Sequence, residues 1–426
     1  VEYTLLSHKT RWKSQGATEA DTTHLDSGGI ARWWAAIFLW LPSLALLAVI
    51  FRYSGAASYA GRDFNITERL LTESRVLFEY LWYWFNPFAA SRGLLADGYV
   101  ISHGLLTPWT SAPAVTGILA LLGWAVWQRK RHPLAALAIL FFFAGHLMES
   151  TTVPLEIYFE HRNYLPSTFL ILPVAAWVVH NNEKYRLLVP LTAVILLAQG
   201  FQTYRIANTW GDELKLAIHW AQRNPKSSRA QSFLASSLSK YGRHDMAVAV
   251  MEQAISRNPQ NSHNYLHLLV AKCLASSVTS NDWERAQDQF ARHPLDKKSY
   301  RLLSGLVTQT PDPACRGVTV SDLQTTLEVL TTRPSAQAKN QANRQLRHMQ
   351  GELYIKSGQV DAAMAAFRDS LRLHPDMSVG MQQVALLASQ GYFRQAIVML
   401  ETVEKLPKPA GWRAKLRSLD FDAEIQ

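Results

Sequence analysis

Cysteine is almost absent from this chain of 426 residues, with only Cys273 and Cys315 present. Neither belongs to a CxxC pair or to a Cys/His ligand spacing, which argues against a structural zinc site. If their half of the chain is extracytoplasmic the two can pair; the alternative is two buried free thiols. Tryptophan is scarce in the second half: 12 of the 14 lie before position 221. A short apolar core near the start with a cleavage pattern is also missing, so VEYTLLSHKTRWKSQGATEADTTHLDSGG does not read as a secretory signal. Acidic residues are outnumbered, giving a formal net charge of +10. That surplus would suit nucleic acid, but the basic residues cluster at the ends of apolar runs, where they orient membrane helices instead. No nucleic-acid partner is expected.

The mean hydropathy of -0.06 averages two unlike halves. Trp33 to Phe51 is 19 residues without a charge, the length that crosses a hydrocarbon core. Further uncharged runs cover Ser111 to Trp127, His132 to Met148, Leu165 to His180 and Leu187 to Tyr204. These predict about five spans in a transmembrane domain over 33–204, after a cytoplasmic polar segment at 1–32. The short loops set the orientation. Gln128-Arg129-Lys130-Arg131-His132 and the loop Asn181 to Arg186 are basic and should be cytoplasmic. Segments 52–111 and 149–164, and everything after Tyr204, are then outside. Ile66 to Phe85 has Leu70, Leu71, Leu77, Leu81 and Trp84 at helical spacing and an aromatic end. It predicts a helix lying in or dipping into the interface, with a sixth span as the alternative.

The second half, 205–426, reads as a tetratricopeptide-repeat domain. Pro225 and Pro259 are 34 apart, with Leu234, Ala235, Leu238, Gly242, Ala247, Met251 and Ala254 between them at the small and large positions of that repeat. GELYIKSGQVDAAMAAFRDSLRLHP repeats the pattern through Gly351, Tyr354, Gly358, Ala363, Phe367 and Pro375. A third copy carries Ala385, Gly391, Ala396 and Leu400, ending at a proline at 407 or 409. Residues 260–294 look like a degraded copy ending in Phe290 and Pro294. Residues 295–343 are helical in character but match poorly, with TTRPSA (331–336) as a break. The predicted class is therefore all-α: a polytopic transmembrane helix bundle followed by an α-solenoid whose concave face docks an exported protein or peptide, or which serves as a spacer.

The outside loop after the third run reads GHLMESTTVPLEIYFEHRNYLPS and gathers His146, Glu149, Glu156, Glu160, His161 and Arg162 at the membrane surface. Ionisable groups at such a depth are costly and mark function. Arg162 can hold a lipid-linked phosphate through bidentate hydrogen bonds, with His161 and Tyr164 beside it. Glu156 or Glu160 can serve as a carboxylate base or share a divalent cation with the phosphate. The alternative is that Glu160 and Arg162 pair with neighbours and fix the loop.

PLEIYFEHRNYLPS, preceded by GHLMEST, resembles the E-R-x-Y-L-P-S region of the transmembrane-and-tetratricopeptide-repeat O-mannosyltransferase-like proteins, polytopic glycosyltransferases that use lipid-linked sugars. Asp97 within RGLLADGYVISHGLLTP, which also holds His103, resembles an extracytoplasmic segment of the same family. The resemblance implies transfer of a sugar from a polyprenyl-phosphate donor to Ser/Thr of exported proteins. It places the chain in a bacterial inner membrane with its repeats in the periplasm. It also implies additional amino-terminal spans, whose first outside loop carries the acidic base; VEYTLL looks like the tail of such a span. With no matching acid upstream of Trp33, a non-catalytic membrane-anchored scaffold for envelope or pilus assembly is the other reading. A pore or transporter finds no support in the spans, which show no internal repeat.

Overall fold

The computed structural model describes residues 33–34, 36–59, 62–86, 91–293, 295, 297–311, 315, 317–332 and 341–407. The polar segment 1–32, Pro294, Pro409 and most of TTRPSA lie outside these residues. Among the described residues the regular structure is all-α, seventeen helices, apart from one isolated bridge between Gly104 and Thr107.

The first uncharged run forms a wide π-helical turn, Ala36–Trp40, leading into α1 (Leu41–Arg52). Next come α2 (Ile66–Phe85), α3 (Ser111–Gln128), α4 (Pro133–Gly145), α5 (Leu172–Asn181) and α6 (Leu188–Trp210). By length and composition α3 is the one described helix long and apolar enough to cross a membrane; the stretch Ala36–Arg52 and α4 are apolar but shorter. The run Leu165 to His180 is helical only in its second part. Pro173 explains this: inside a helix begun at Leu165 it would lack the N–H that bonds the carbonyl of Phe169, whereas in the first turn of a helix begun at Leu172 that donor is not needed. Residues 163–172 instead form successive tight turns, such as Ser167 N to Asn163 O and Leu170 N to Ser167 O. At the far end, α6 does not stop at Tyr204 but continues to Trp210. The break falls at Gly211, where Asp212 caps α7 (Glu213–Arg223) through Lys215 N at 3.0 Å.

α2 opens with a reciprocal capping box, Asn65 and Glu68 each bonding the other's backbone N–H at 2.9 Å. Its apolar face meets α3 and α4 across an apolar groove of about 460 Å³, lined by Phe78, Leu81, Trp82, Phe85, Leu121 and Phe142 among others. Its polar face meets the segment that follows. Arg92 pairs with Glu79, Arg75 Nη1 donates to Val100 O at 2.9 Å, Ser102 N donates to Thr72 Oγ1 at 2.8 Å, and His103 Nδ1 lies 2.7 Å from Glu68. The chain thus runs back along α2 to its first turns before α3 begins.

Beyond α7 most helices pack in sequential pairs: α8 (Ser228–Lys240) with α9 (His244–Arg257), α10 (Ser262–Leu274) with α11 (Ser280–Arg292), α14 (Gln341–Lys356) with α15 (Val360–Leu373), and α16 (Met377–Ser389) with α17 (Phe393–Glu404), whereas α12 (Lys297–Gln309) packs on α10 and α14, and α13 (Val320–Thr331) on α11 and α14. The poorly matching region 295–343 therefore supplies two helices that pack on their neighbours in the array and not on each other as a repeat pair. The first helices of successive pairs lie side by side. Ser232, His263 and Ser299 link three of them, with His263 Nδ1 3.1 Å from Ser299 Oγ.

The turn chemistry repeats as well. Gly242, Gly358 and Gly391 have φ of 70, 74 and 81°, and the residue after each donates back to the helix end: Arg243 N to Leu238 O, Gln359 N to Tyr354 O and Tyr392 N to Leu387 O. This six-residue closure needs a left-handed residue, which glycine adopts without steric cost. In the degraded copy Ser276 occupies that place with φ of 52°, and Ser277 N closes on Lys272 O at 2.9 Å. Gly351 serves a different purpose. A Cβ there would lie 2.2 Å from Phe367 Cε1, so its absence lets α14 and α15 approach. Two further ties hold the middle of the array. Lys356 Nζ donates to the carbonyls of Val307, Thr308 and Thr310 at 2.6–2.7 Å, closing the end of α12. A disulfide joins Cys273 at the end of α10 to Cys315 between α12 and α13.

Candidate functional site

The loop after α4 is shaped from α2. Arg69 is fully buried, and its guanidinium donates to Thr151 O at 2.9 Å, to Leu155 O at 2.7 Å and to Glu149 O, while pairing with Glu73 at 3.0 Å. Three carbonyls converging on one planar cation give residues 149–155 a single shape. Burial pushes the Glu73 carboxyl up, to about 8, against the pull of Arg69. Arg162 closes the same cluster: Nη1 donates to Glu156 O at 2.9 Å, Nε lies 3.3 Å from Glu149, and the guanidinium sits over the Phe159 ring at 4.9 Å. Burial raises the Glu149 carboxyl as well, again opposed by Arg162.

Glu160 belongs to a second cluster. It accepts from Arg92 N at 2.6 Å, from Tyr158 OH at 3.0 Å and from Ser91 Oγ. Arg92 lies over the stacked rings of Tyr99 and Tyr158, at 5.4 and 5.7 Å, and pairs with Glu79. Glu160 therefore anchors the start of segment 91–103, with both carboxylate oxygens occupied.

Glu156 and Asp97 form a third group, a joint to the repeats. Arg229 Nη1 of α8 lies 2.8 Å from Glu156 Oε1, Ser227 Oγ donates to Asp97 Oδ1, and Asn224 Nδ2 donates to Arg92 O at 2.6 Å. Leu94 and Leu95 pack against Leu216, Trp220 and Ala230. Gly93 has φ of 79°, and a Cβ there would meet the Trp220 indole at 2.3 Å, so only glycine lets the segment lie against α7. The remaining candidates stand apart. His103 pairs with Glu68 and lowers that carboxyl's pKa through their hydrogen bond. His146 is buried, with Nδ1 2.8 Å from Phe142 O and its ring near Tyr80 and Phe142. His161 stands edge-on to Phe159 at 4.3 Å, and Tyr164 is exposed.

The structure thus divides the sequence candidates among three clusters. Glu149 and Arg162 come together, Glu160 lies in the next cluster, and Glu156 and Asp97 face the repeats. Among the described residues no group of three or more His, Cys, Asp or Glu side chains is assembled to hold a metal ion. Sequence reasoning passed over Arg69, Glu73, Glu79 and Arg92. The signal was present in ITERLLTESRVLFEY, where Arg69 and Glu73, and Arg75 and Glu79, stand four apart, the first pair beside the apolar residues Val76, Leu77 and Tyr80 and the second pair away from them.

The tetratricopeptide-repeat family model matches residues 228–261 and 345–377, which are α8–α9 and α14–α15 with the turns that follow them. No curated protein matches the sequence. The chain accordingly contains two tetratricopeptide repeats by sequence, inside a longer series of stacked helices.

Proposed function

We propose that the protein is a membrane-anchored scaffold that presents its repeats on the extracytoplasmic side of a bacterial inner membrane, where they dock an exported or envelope protein. The observation that carries this reading is the joint of Glu156 with Arg229, Asp97 with Ser227 and Arg92 with Asn224. Carboxylates that a transferase would keep free hold the repeat array against the membrane-side loops. Tetratricopeptide arrays bind protein partners on the surface formed by their stacked helices. Contact with lipid beyond α3 is supported by α5 and α6, which bury none of their residues and expose large apolar side chains. The outside location follows from the basic loops at 128–132 and 181–186. It agrees with the Cys273–Cys315 disulfide, which persists in oxidising compartments. The test is proximity labelling by the full chain in its native membrane, followed by binding of each purified candidate to residues 206–426 alone. A partner held equally by both supports docking on the repeats; partners that bind the full chain but never the fragment count against it.

A second reading rests on the Arg69, Glu73, Glu149 and Arg162 cluster together with the likeness of residues 156–167 to the O-mannosyltransferase-like proteins. There the protein transfers a sugar from a polyprenyl-phosphate donor to Ser/Thr, and Arg162 exchanges Glu149 for the donor phosphate. A transfer assay comparing wild type with Arg162→Ala tests it, since equal rates remove the role of Arg162.

A further inference from the structure

The hairpin that precedes α3 is tied to that helix by its backbone. His103 N donates to Thr107 O at 2.9 Å, and Ala112 N, one of the donors left unpaired at the start of α3, is satisfied by Leu105 O at 3.0 Å. The base of the hairpin is polar and packed: His103 pairs with Glu68, and Ser111 Oγ donates to Ser102 Oγ at 2.8 Å. Its tip is neither. Leu105, Leu106 and Trp109 are 53, 77 and 71 % exposed. Three large apolar side chains on one short tip are costly to leave in water. They do not fill the core, yet the carbonyl of Leu105 caps the helix.

We propose that this tip inserts into the outer leaflet of the bilayer as an anchor at headgroup level. The backbone link puts Leu105, Leu106 and Trp109 within a turn of Ser111, where α3 begins its apolar surface. Trp at the water–lipid boundary and leucine just below it are the preferred arrangement there. The anchor holds α2 flat, because Glu68–His103 and Thr72–Ser102 bind the tip's base to the first turns of α2. This inference rests on the reading of α3 as a span with Ser111 outside.

Both cysteines of the chain are in the disulfide, so a single introduced cysteine can be spin-labelled without background. The full chain in lipid nanodiscs would carry the label at Leu106→Cys, at Leu119→Cys in the body of α3, where the side chain is 64 % exposed, or at Lys240→Cys on the repeats. Collision rates with oxygen, which concentrates in lipid, and with a water-soluble nickel chelate are measured at each site. The expected result is oxygen-dominated collision at 106, stronger oxygen dominance at 119 and chelate-dominated collision at 240. An aqueous reading at 106 with a lipid reading at 119 overturns the anchor alone. An aqueous reading at 119 overturns the span and the anchor with it.

Discussion

Arg229 on α8 reaches across to Glu156 in the loop after α4, with 2.8 Å between Nη1 and Oε1. This contact and its neighbour, Asp97 with Ser227, are where the amino-terminal helices and their loops take hold of the repeat array. A double-mutant cycle over Glu156→Ala and Arg229→Ala measures the first. Glu156 is 39 % exposed, so solvent screens the pair and the expected coupling is only about 0.5 kcal/mol. The Asp97→Ala and Ser227→Ala cycle should give about 1 kcal/mol. Thermal unfolding of the repeats in detergent is the readout. Coupling of zero in both cycles would show that the halves are not joined there.

Ser276 holds a left-handed backbone at the place where Gly242 stands one repeat earlier. Relief of that strain by Ser276→Gly should stabilise the array by about 1 kcal/mol, seen as a rise in Tm. Gly358→Ala should lower Tm by a comparable amount, since it imposes the same strain on a turn now free of it. If Ser276→Gly lowers Tm, the hydroxyl matters more than the turn.

The Cys273–Cys315 bridge spans 42 residues, and a loop of that length constrains the unfolded chain by about 4 kcal/mol on the chain-entropy account. Cys315→Ser, or full reduction, should therefore lower the denaturant midpoint of the repeats markedly. In intact cells a thiol reagent should label the native chain only after reduction. Labelling without reductant would place the repeats in a reducing compartment and contradict the proposed orientation.

Asp282 supplies a pH test within the repeat array. Burial alone would raise its pKa; Lys272 at 2.6 Å and the Thr279 hydroxyl and N–H outweigh burial and hold the carboxyl below its ordinary value. The unfolded chain then binds the proton more readily than the folded one. The stabilisation is complete above the ordinary carboxylate range and is lost as pH falls through the lowered pKa. Asp282→Asn should be less stable than wild type at neutral pH, with the gap closing below about pH 4. A gap that stays constant down to about pH 3 would assign the effect to packing.

The repeats were legible because their rules are local. A small residue at Ala235 or Gly351, a turn glycine at 242, 358 or 391 and a large apolar at Met251 or Phe367 lie within one helix pair and can be counted along the chain. The fourth apolar run was legible as hydrophobic but not as half-helical, since composition does not report that Pro173 ends a helix begun at Leu165 and suits one begun at Leu172. The loop 149–164 was legible as a concentration of charge. The assignment of each charge was not.

Sequence alone determined that apolar runs precede a repeat array, which faces of the repeat helices are buried and where the turns fall, because those features depend on neighbours within about one repeat. Tertiary structure decided which carboxylates are spoken for. Glu160 meets Ser91 across 69 positions, Glu156 meets Arg229 across 73 and Asp97 meets Ser227 across 130. A charge has the same letter whether it waits for a ligand or clamps a distant helix, and only the partner brought to it by folding distinguishes the two.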